Sequence, residues 1–320
     1  MTDKRKFTSI DPNEAPIKDV HNLLLSGVAP RPIALVSTLS EQGRNNLAPF
    51  SFFNAFGANP PYVVFSPSLS GRDGSAKDTL VNLQKIPECV IHVVPHELVE
   101  QISLASTAYE PEVDEFLKAG FTAIDSDLVR PKRVLESPFH MECHVEQIIP
   151  LGGKPGSGNL VLCRVIKFHV ADHLLQDGII YPDSLDLVGR NSGNYYTRAS
   201  GAAIFKVNKP VGIGVGIDQL PDHIKASTVL SANNLGQLGG VKRIPDSGEV
   251  QAYFDSLRST YESEQESESK EYWQLYFSGS TLMSMDELKA KELIEMAACQ
   301  ALALNDVHFA LYALLSIGSY

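Results

Sequence analysis

The segment from Arg31 to Thr79, RPIALVSTLSEQGRNNLAPFSFFNAFGANPPYVVFSPSLSGRDGSAKDT, constrains the fold more than any other part of the chain. Ile33 to Leu39 and Tyr62 to Ser66 are short apolar runs, too brief for helices and rich in β-branched or aromatic residues, so they read as strands. SEQGRNN, with Gly43 in a polar tip, predicts a hairpin turn, and Leu47 onward predicts the returning strand. Small and aromatic residues fill the interval from Ala48 to Asn54. Phe52, Phe53 and Phe56 precede the Pro60-Pro61 step, and rings placed ahead of a β-branched strand in this way are expected in a core.

The segment closes on a loop rich in Gly, Ser, Arg and Lys that runs into TLVNLQK, a good helical sequence. Ser75, three residues before Asp78, matches a capping box. Such a helix start leaves amides unpaired and sets the positive end of the helix dipole at the loop. Arg72 and Lys77 add cationic donors and Thr79 a hydroxyl, while Gly71 and Gly74 permit close backbone approach. Two readings are compatible with these residues: a solvated turn capped by Ser75, or a phosphate cradle. The loop matches neither a Walker A nor a dinucleotide fingerprint.

RPIALVST, NLAPFSFFN, NPPYVVFSPS and KDTLVNL, in this order and spacing, resemble the flavin reductase-like family of FMN-binding split-barrel proteins. VDEFLKAGF, VLESPFHMEC and GRNSGNYYTR extend the resemblance over about residues 15 to 205. It implies a mainly β (α+β) fold, a split β-barrel with flanking helices, over residues 1–207, and a homodimer with FMN near the subunit interface. It also implies that Ala48, Pro49, Phe50 and Ser51 border the isoalloxazine ring, chiefly through backbone groups. Ser37 and Thr38, ending the first strand, are expected at the flavin's polar edge, and Tyr195 or Tyr196 near the flavin or the dimer interface. With the phosphate reading adopted, Arg72, Lys77, Asp78 and Thr79 complete the cofactor set. Relatives commonly carry Asn where His92 stands, and often an acidic residue near Arg164.

The chain has 320 residues, which predicts one domain with a substantial extension or two domains, and 43% hydrophobic against 20% charged residues permits a large core. A net charge of −11 and a pI near 5.3 argue against general nucleic-acid binding, which needs a basic surface. TDKRKF at the start lacks the apolar run of a signal peptide, and no stretch approaches the ~20 apolar residues of a membrane helix. A soluble, cytoplasmic protein that engages no membrane is the expectation. Cys89, Cys143, Cys163 and Cys299 have no CxxC spacing and read as buried reduced thiols.

DPNEAPIKDVHNLLLSG predicts a short helix whose Leu23 to Leu25 pack across a barrel end. Cys89 to Val94 reads as a strand, Leu98 to Thr107 as a helix begun at Pro95, and VDEFLKAG as a helix stopped by Gly120. Arg130, Lys132 and Arg133 form either a solvated basic face or a greeting for a nucleotide phosphate. FHMECHVEQIIPL alternates as a half-buried strand, with Phe139, Met141, Cys143 and Val145 on one face. His140 and His144, ~13 Å apart on such a strand, cannot share a metal ion. His92 and His96 are separated by Pro95, which disfavours a metal there too. LGGKPGSGN then reads as a turn and LVLCRVIKFHV as the answering strand.

From Lys206 the composition shifts, and residues 208–320 read as a C-terminal extension, a strand followed by helices, with no function assigned. GIGVGID reads as an edge strand, lacking the order and frame of a nucleotide loop, and the Asn- and Gly-rich stretch after it reads as turns. Glu249 to Lys270 is helical in composition with a strongly charged section before Lys270, either solvated helix or disordered linker. Asp286 to Tyr320 reads as two amphipathic helices broken near Asn305-Asp306, with Ser284 and Glu287 as a capping box. Their apolar faces need a partner surface, expected on the barrel or its dimer mate.

These readings, with the resemblance, imply an NAD(P)H-linked, FMN-dependent oxidoreductase of flavin reductase type, possible partners being a nicotinamide cofactor and an electron-acceptor protein. No triad, carboxylate pair or metal constellation is visible, so no residue is assigned a catalytic role. The alternatives are a flavin-binding electron carrier without a nicotinamide site, and a flavin-free binding module.

Overall fold

The computed structural model describes residues 6–210, 212–263 and 270–319. It divides into two compact units, Met1–Phe205 and Lys206–Tyr320, each with its own core.

In the first unit, helix α1 (Ile17–Gly27) precedes β1 (Ala34–Leu39), β2 (Asn45–Phe50), β3 (Phe53–Ala58) and β4 (Pro61–Phe65). Then come α2 (Asp78–Lys85), β5 (Glu88–His92), α3 (Val99–Ala105), α4 (Glu115–Ala119), and the short strands β6 (Ala123–Ile124) and β7 (Arg133–Val134). The long hairpin β8 (Phe139–Pro150) and β9 (Asn159–Val170) follows, then β10 (Leu175–Gln176), β11 (Ile179–Ile180), β12 (Leu187–Arg190) and β13 (Tyr196–Ala199).

Seven strands form one antiparallel sheet in the order β2-β1-β5-β8-β9-β4-β3. The two edge strands, β2 and β3, are consecutive in the chain with only Ser51 and Phe52 between them, so the sheet curls until its edges meet without pairing. Strand alternation sorts the side chains. Ala34, Val36, Phe50, Phe65, Ile91, Met141, Cys143 and Cys163 fill the interior. Ile33, Leu35 and Leu47 point outward and pack against Leu98, Ile102 and Phe116. The hairpin tip at Gly43 and the α4 stop at Gly120 both use left-handed glycine, φ 78° and 71°.

Several expectations are corrected in this unit. β8 is buried on both faces at its start rather than half-buried, because the chain from Phe121 to Pro138 folds over its outer side: Glu142 accepts from the amides of Asp127 and Leu128, and His140 Nε2 donates to the Ser137 carbonyl at 2.6 Å. Leu23 and Leu24 of α1 are about half exposed and no α1 residue is buried; Leu83 of α2 already helps fill the barrel interior. Phe56 is 68% exposed and Phe52 and Phe53 are only partly buried, since β3 is an edge strand.

The second unit holds α5 (Asp222–Lys225), α6 (Ala232–Gly239), α7 (Ser247–Ser263), α8 (Glu271–Leu282), α9 (Glu287–Ala303) and α10 (Val307–Ser316). The apolar faces of α9 and α10 meet each other and residues of α5 to α8, including Phe254, Tyr272 and Tyr276, so the partner surface they need is found within the unit itself. GIGVGID forms no strand. Its backbone instead packs on the end of α6, with Val215 N–H on the Val241 carbonyl and Gly216 N–H on that of Gly239, and a Cβ on Gly214 would lie 2.5 Å from the Gly239 oxygen. The Asn- and Gly-rich stretch is helix α6 rather than turns, begun by a reciprocal Ser231–Asn234 capping box. Asp286, not Ser284, caps α9, and the break before α10 is Asn305 at φ 62° followed by the cap Asp306. Residues 264–269 of the charged section lie outside the described residues. No described helix is long and apolar enough to cross a membrane.

Candidate functional site

The loop before α2 is shaped by its own side chains. Asp73 Oδ1 accepts from the Ser75 amide and hydroxyl, at 3.0 and 2.7 Å, and those bonds hold its carboxyl down to about 2. Ser75 is thus spent inside the loop, and the expected capping box does not form. Lys77 is the residue preceding the helix, in extended conformation and without a side-chain cap. Gly74 is at φ 75°, and a Cβ there would lie 3.5 Å from the Pro155 ring. Leu80 and Val81 make the first helical bonds, both to the Lys77 carbonyl, so the amides of Asp78 and Thr79 open the helix ahead of any intrahelical partner. Arg72 and Lys77 are exposed, and among the described residues neither is in an ion pair.

Beneath this helix start lies a buried polar knot. Asn46 Nδ2 donates to Thr38 Oγ1 and to Thr79 Oγ1, each at 3.0 Å, and Asn82 Nδ2 donates to Thr38 Oγ1 at 3.1 Å. β1, β2 and α2 are locked together here. Sequence reasoning singled out Thr38 and Thr79 but missed Asn46 and Asn82; the signal was a polar residue placed where strand and helix periodicity require an inward side chain. Ser37 points the other way, and its hydroxyl donates to the Lys132 carbonyl at 2.5 Å.

Along β2 the four residues expected beside a ring divide by alternation. Ala48 and Phe50 face the barrel interior, while Pro49 and Ser51 line an outer cleft of about 500 Å³. The Leu47 amide donates to Glu115 Oε2 at 3.0 Å, away from β1. In an antiparallel ladder the bonds toward β1 then belong to Asn46, Ala48 and Phe50. Because Pro49 has no N–H, the amide this edge presents next is that of Ser51. Burial raises the Glu115 carboxyl, against the lowering pull of that Leu47 amide.

The cleft has Ile33, Pro49 and Ile102 as its apolar lining, and Ser51, Ser103, Ser106 and Asn194 among its polar groups. Arg190 and Tyr196 also line it, the guanidinium 4.4 Å from the ring centroid and donating to the Gly193 carbonyl at 2.6 Å. A two-way backbone bridge ties Arg190 to Arg31. Arg31, 4% exposed, donates to the carbonyls of Leu25, Val28 and Asn191 and, at 3.4 Å, to Ser51 Oγ. Burial first, and the charge of Arg190 second, lower its pKa. Tyr195 is 75% exposed and lies in the turn between β12 and β13.

The basic cluster is spent on acids: Arg130 pairs with Glu88, Lys132 with Asp125, and Arg133 with Asp127. Arg164 pairs with Glu146. His92 is enclosed, Nδ1 donating to Leu35 O and Nε2 accepting from Val134 N–H. Asp127, Glu142 and His169 bring one ligand atom each within 4.8 Å of one another, but Lys167 and Arg133 already pair with Asp127, and Glu142 accepts from two amides and His169. Cys89, Cys143 and Cys163 are buried free thiols in the barrel, and Cys299 is a partly buried one.

The flavin reductase like domain matches residues 26–186. An uncharacterized protein of Halalkalibacterium halodurans is 41% identical over 189 residues, 58% of this chain and 90% of its own length. An uncharacterized protein of Aquifex aeolicus is 33% identical over 189 residues, 59% of this chain and 94% of its own. Among solved structures, nitrilotriacetate monooxygenase component B from Bacillus cereus superposes with TM-score 0.60 at 34% identity, covering 63% of this chain and all of that one. The Pseudomonas fluorescens 2-nitrobenzoate 2-nitroreductase NbaA gives 0.56 at 25% identity, covering 64% and 98%. With the curled antiparallel sheet, the edge strand β2 and the open start of α2 in the matched segment, the chain belongs to the flavin reductase like family and carries its split-barrel fold.

Proposed function

We propose that this protein is an FMN-binding oxidoreductase of flavin reductase type, with NAD(P)H as reductant. The observation that carries the reading is the open start of α2, where the exposed Lys77 and the amides of Asp78 and Thr79, ahead of any intrahelical partner, stand at the helix end that the Thr79 side chain ties to Asn46 of β2. A phosphate there sits on the positive end of a helix dipole and against one or two cationic side chains. Ala48 stands two residues beyond Asn46 on the same face of β2, so a ligand anchored at α2 reaches the β2 edge. The relatives named for a monooxygenase component and a nitroreductase support flavin chemistry of this kind.

FMN, when bound, supplies hydride acceptance. The chain's part is to hold and orient it: Lys77 and Arg72 bind the phosphate, the small, half-buried Ala48 lets the ring approach the β2 edge, and the Ser51 amide donates to the ring's polar edge, where negative charge grows on reduction. The exposed apolar side chains of α1 and the unpaired β3 edge support a second copy as partner. The test is the visible spectrum of purified protein before and after anaerobic NAD(P)H. A flavin band that bleaches on addition is expected; a stable flavin band would mark a flavin carrier without a nicotinamide site, and no flavin uptake would overturn the reading.

A further inference from the structure

Arg31 and Arg190 form a pair of positive charges without a counterion. Neither guanidinium is in an ion pair among the described residues, although the chain carries a net charge of −11. Arg31 is buried and its partners are three backbone carbonyls and a hydroxyl, all neutral. A charge withdrawn from water is costly unless an opposite charge or a full set of hydrogen bonds compensates it. Three carbonyls and the Ser51 hydroxyl accept from Arg31, but the field of two neighbouring cations is left open to the cleft that Arg190 and Ser51 line.

The arrangement is held rigidly. Arg190 is fixed by the two backbone bonds to Arg31, at 3.0 and 2.8 Å, by the Gly193 carbonyl and by the Tyr196 ring. A guanidinium pinned along a ring is preorganised for a planar oxyanion, so little rotamer freedom is lost on binding. Opposite it, Ile33, Pro49 and Ile102 provide an apolar wall, and the cavity of about 500 Å³ is within the range of small-ligand sites. Glu100, exposed on α3, is the one carboxylate among the cleft's lining residues and forms no ion pair with Arg190.

We propose that the cleft between β2 and α3 is an anion subsite for the second substrate, in which Arg190 takes the carboxylate or phosphate of a ligand whose flat part lies against Pro49, with Arg31 as the residue that positions Arg190 and Ser51. This rests on the reading that the β2 edge carries the flavin, since the ligand then lies beside the ring. Arg190 is the specificity-determining residue, selecting an oxyanion over its neutral counterpart.

Calorimetric titration of the FMN-loaded protein with two matched pairs tests this: benzoate against benzamide, and nicotinamide mononucleotide against nicotinamide riboside. At least one anion is expected to bind tenfold or more tightly than its neutral partner, with the preference weakening as salt rises, vanishing in Arg190→Gln and returning in part in Arg190→Lys. Preference in the first pair alone identifies a carboxylate ligand, and in the second alone a nucleotide phosphate; both support the subsite. No anion preference in the natural protein overturns it, as does a preference that survives in Arg190→Gln. FMN affinity is measured on the same samples. If FMN fails to bind, the same titrations on the flavin-free protein decide the subsite separately, because Arg190, Tyr196 and Arg31 are held without it.

Discussion

The Asn46 side-chain amide donates to Thr79 Oγ1 at 3.0 Å, joining the second strand of the barrel to the first turn of α2 in a fully enclosed contact. Thr79→Val removes the acceptor while keeping the shape, leaving the Asn46 amide with Thr38 alone. A loss of about 1–3 kcal/mol is expected, the usual cost of a buried donor deprived of its partner. Urea unfolding of the flavin-free protein measures it; an unchanged midpoint would show that Asn46 finds another acceptor.

Lys77 is exposed at the helix start, so Lys77→Ala should leave stability nearly unchanged and act on the ligand. FMN affinity should fall by about 1.5–3 kcal/mol for one lost charge-assisted hydrogen bond, while riboflavin, which lacks the phosphate, is little affected. Equal weakening of both would remove Lys77 from the phosphate site.

Ala48 is half-buried beside the interior cluster on the face that Asn46 shares. Ala48→Trp is expected to exclude flavin with the fold intact. Circular dichroism and flavin content on one sample decide between outcomes: native structure with full FMN would remove the pocket, and loss of structure would mark Ala48 as a tight core position instead.

His92 is held neutral, its pKa pushed down to about 3 chiefly by burial, then by His140, with Arg133 adding to the effect and the Leu35 carbonyl opposing it. In the unfolded chain a histidine titrates near 6.5. Below that pH the unfolded state takes up a proton that the folded state refuses, so stability is full above about 6.5 and declines as pH falls toward 3. The contribution lost by about pH 5 is ~2 kcal/mol. His92→Asn should flatten the melting temperature between about pH 4 and 7, and a parallel profile would locate the acid sensitivity in other groups.

Two glycines of α6 should respond oppositely to alanine. A Cβ on Gly239 would lie 3.0 Å from backbone atoms of Gly216 and Ile217, whereas one on Gly236 meets nothing within 4 Å. Gly239→Ala should destabilise residues 206–320 by about 1–3 kcal/mol through overpacking, and Gly236→Ala should stabilise by about 0.5–1 kcal/mol. Helical ellipticity on melting reads both.

The sequence by itself determined the strands of the barrel other than the edge strand β3, the helix after Lys77 and the stops at Gly43 and Gly120, because short apolar runs and left-handed glycines act locally. The family motifs carried the fold from there. Tertiary structure alone decided what each polar residue does. Ser75 looked like a cap until Asp73 claimed it, and the Leu47 amide, turned away from β1, finds its acceptor in Glu115, 68 residues along the chain. Arg31 and Arg190 lie far apart in the chain, and no local pattern reveals that a β-bridge brings them together without a counterion. GIGVGID alternates as a strand should, yet its glycines serve a close backbone contact with Gly239, a role that depends on the packing partner rather than on periodicity.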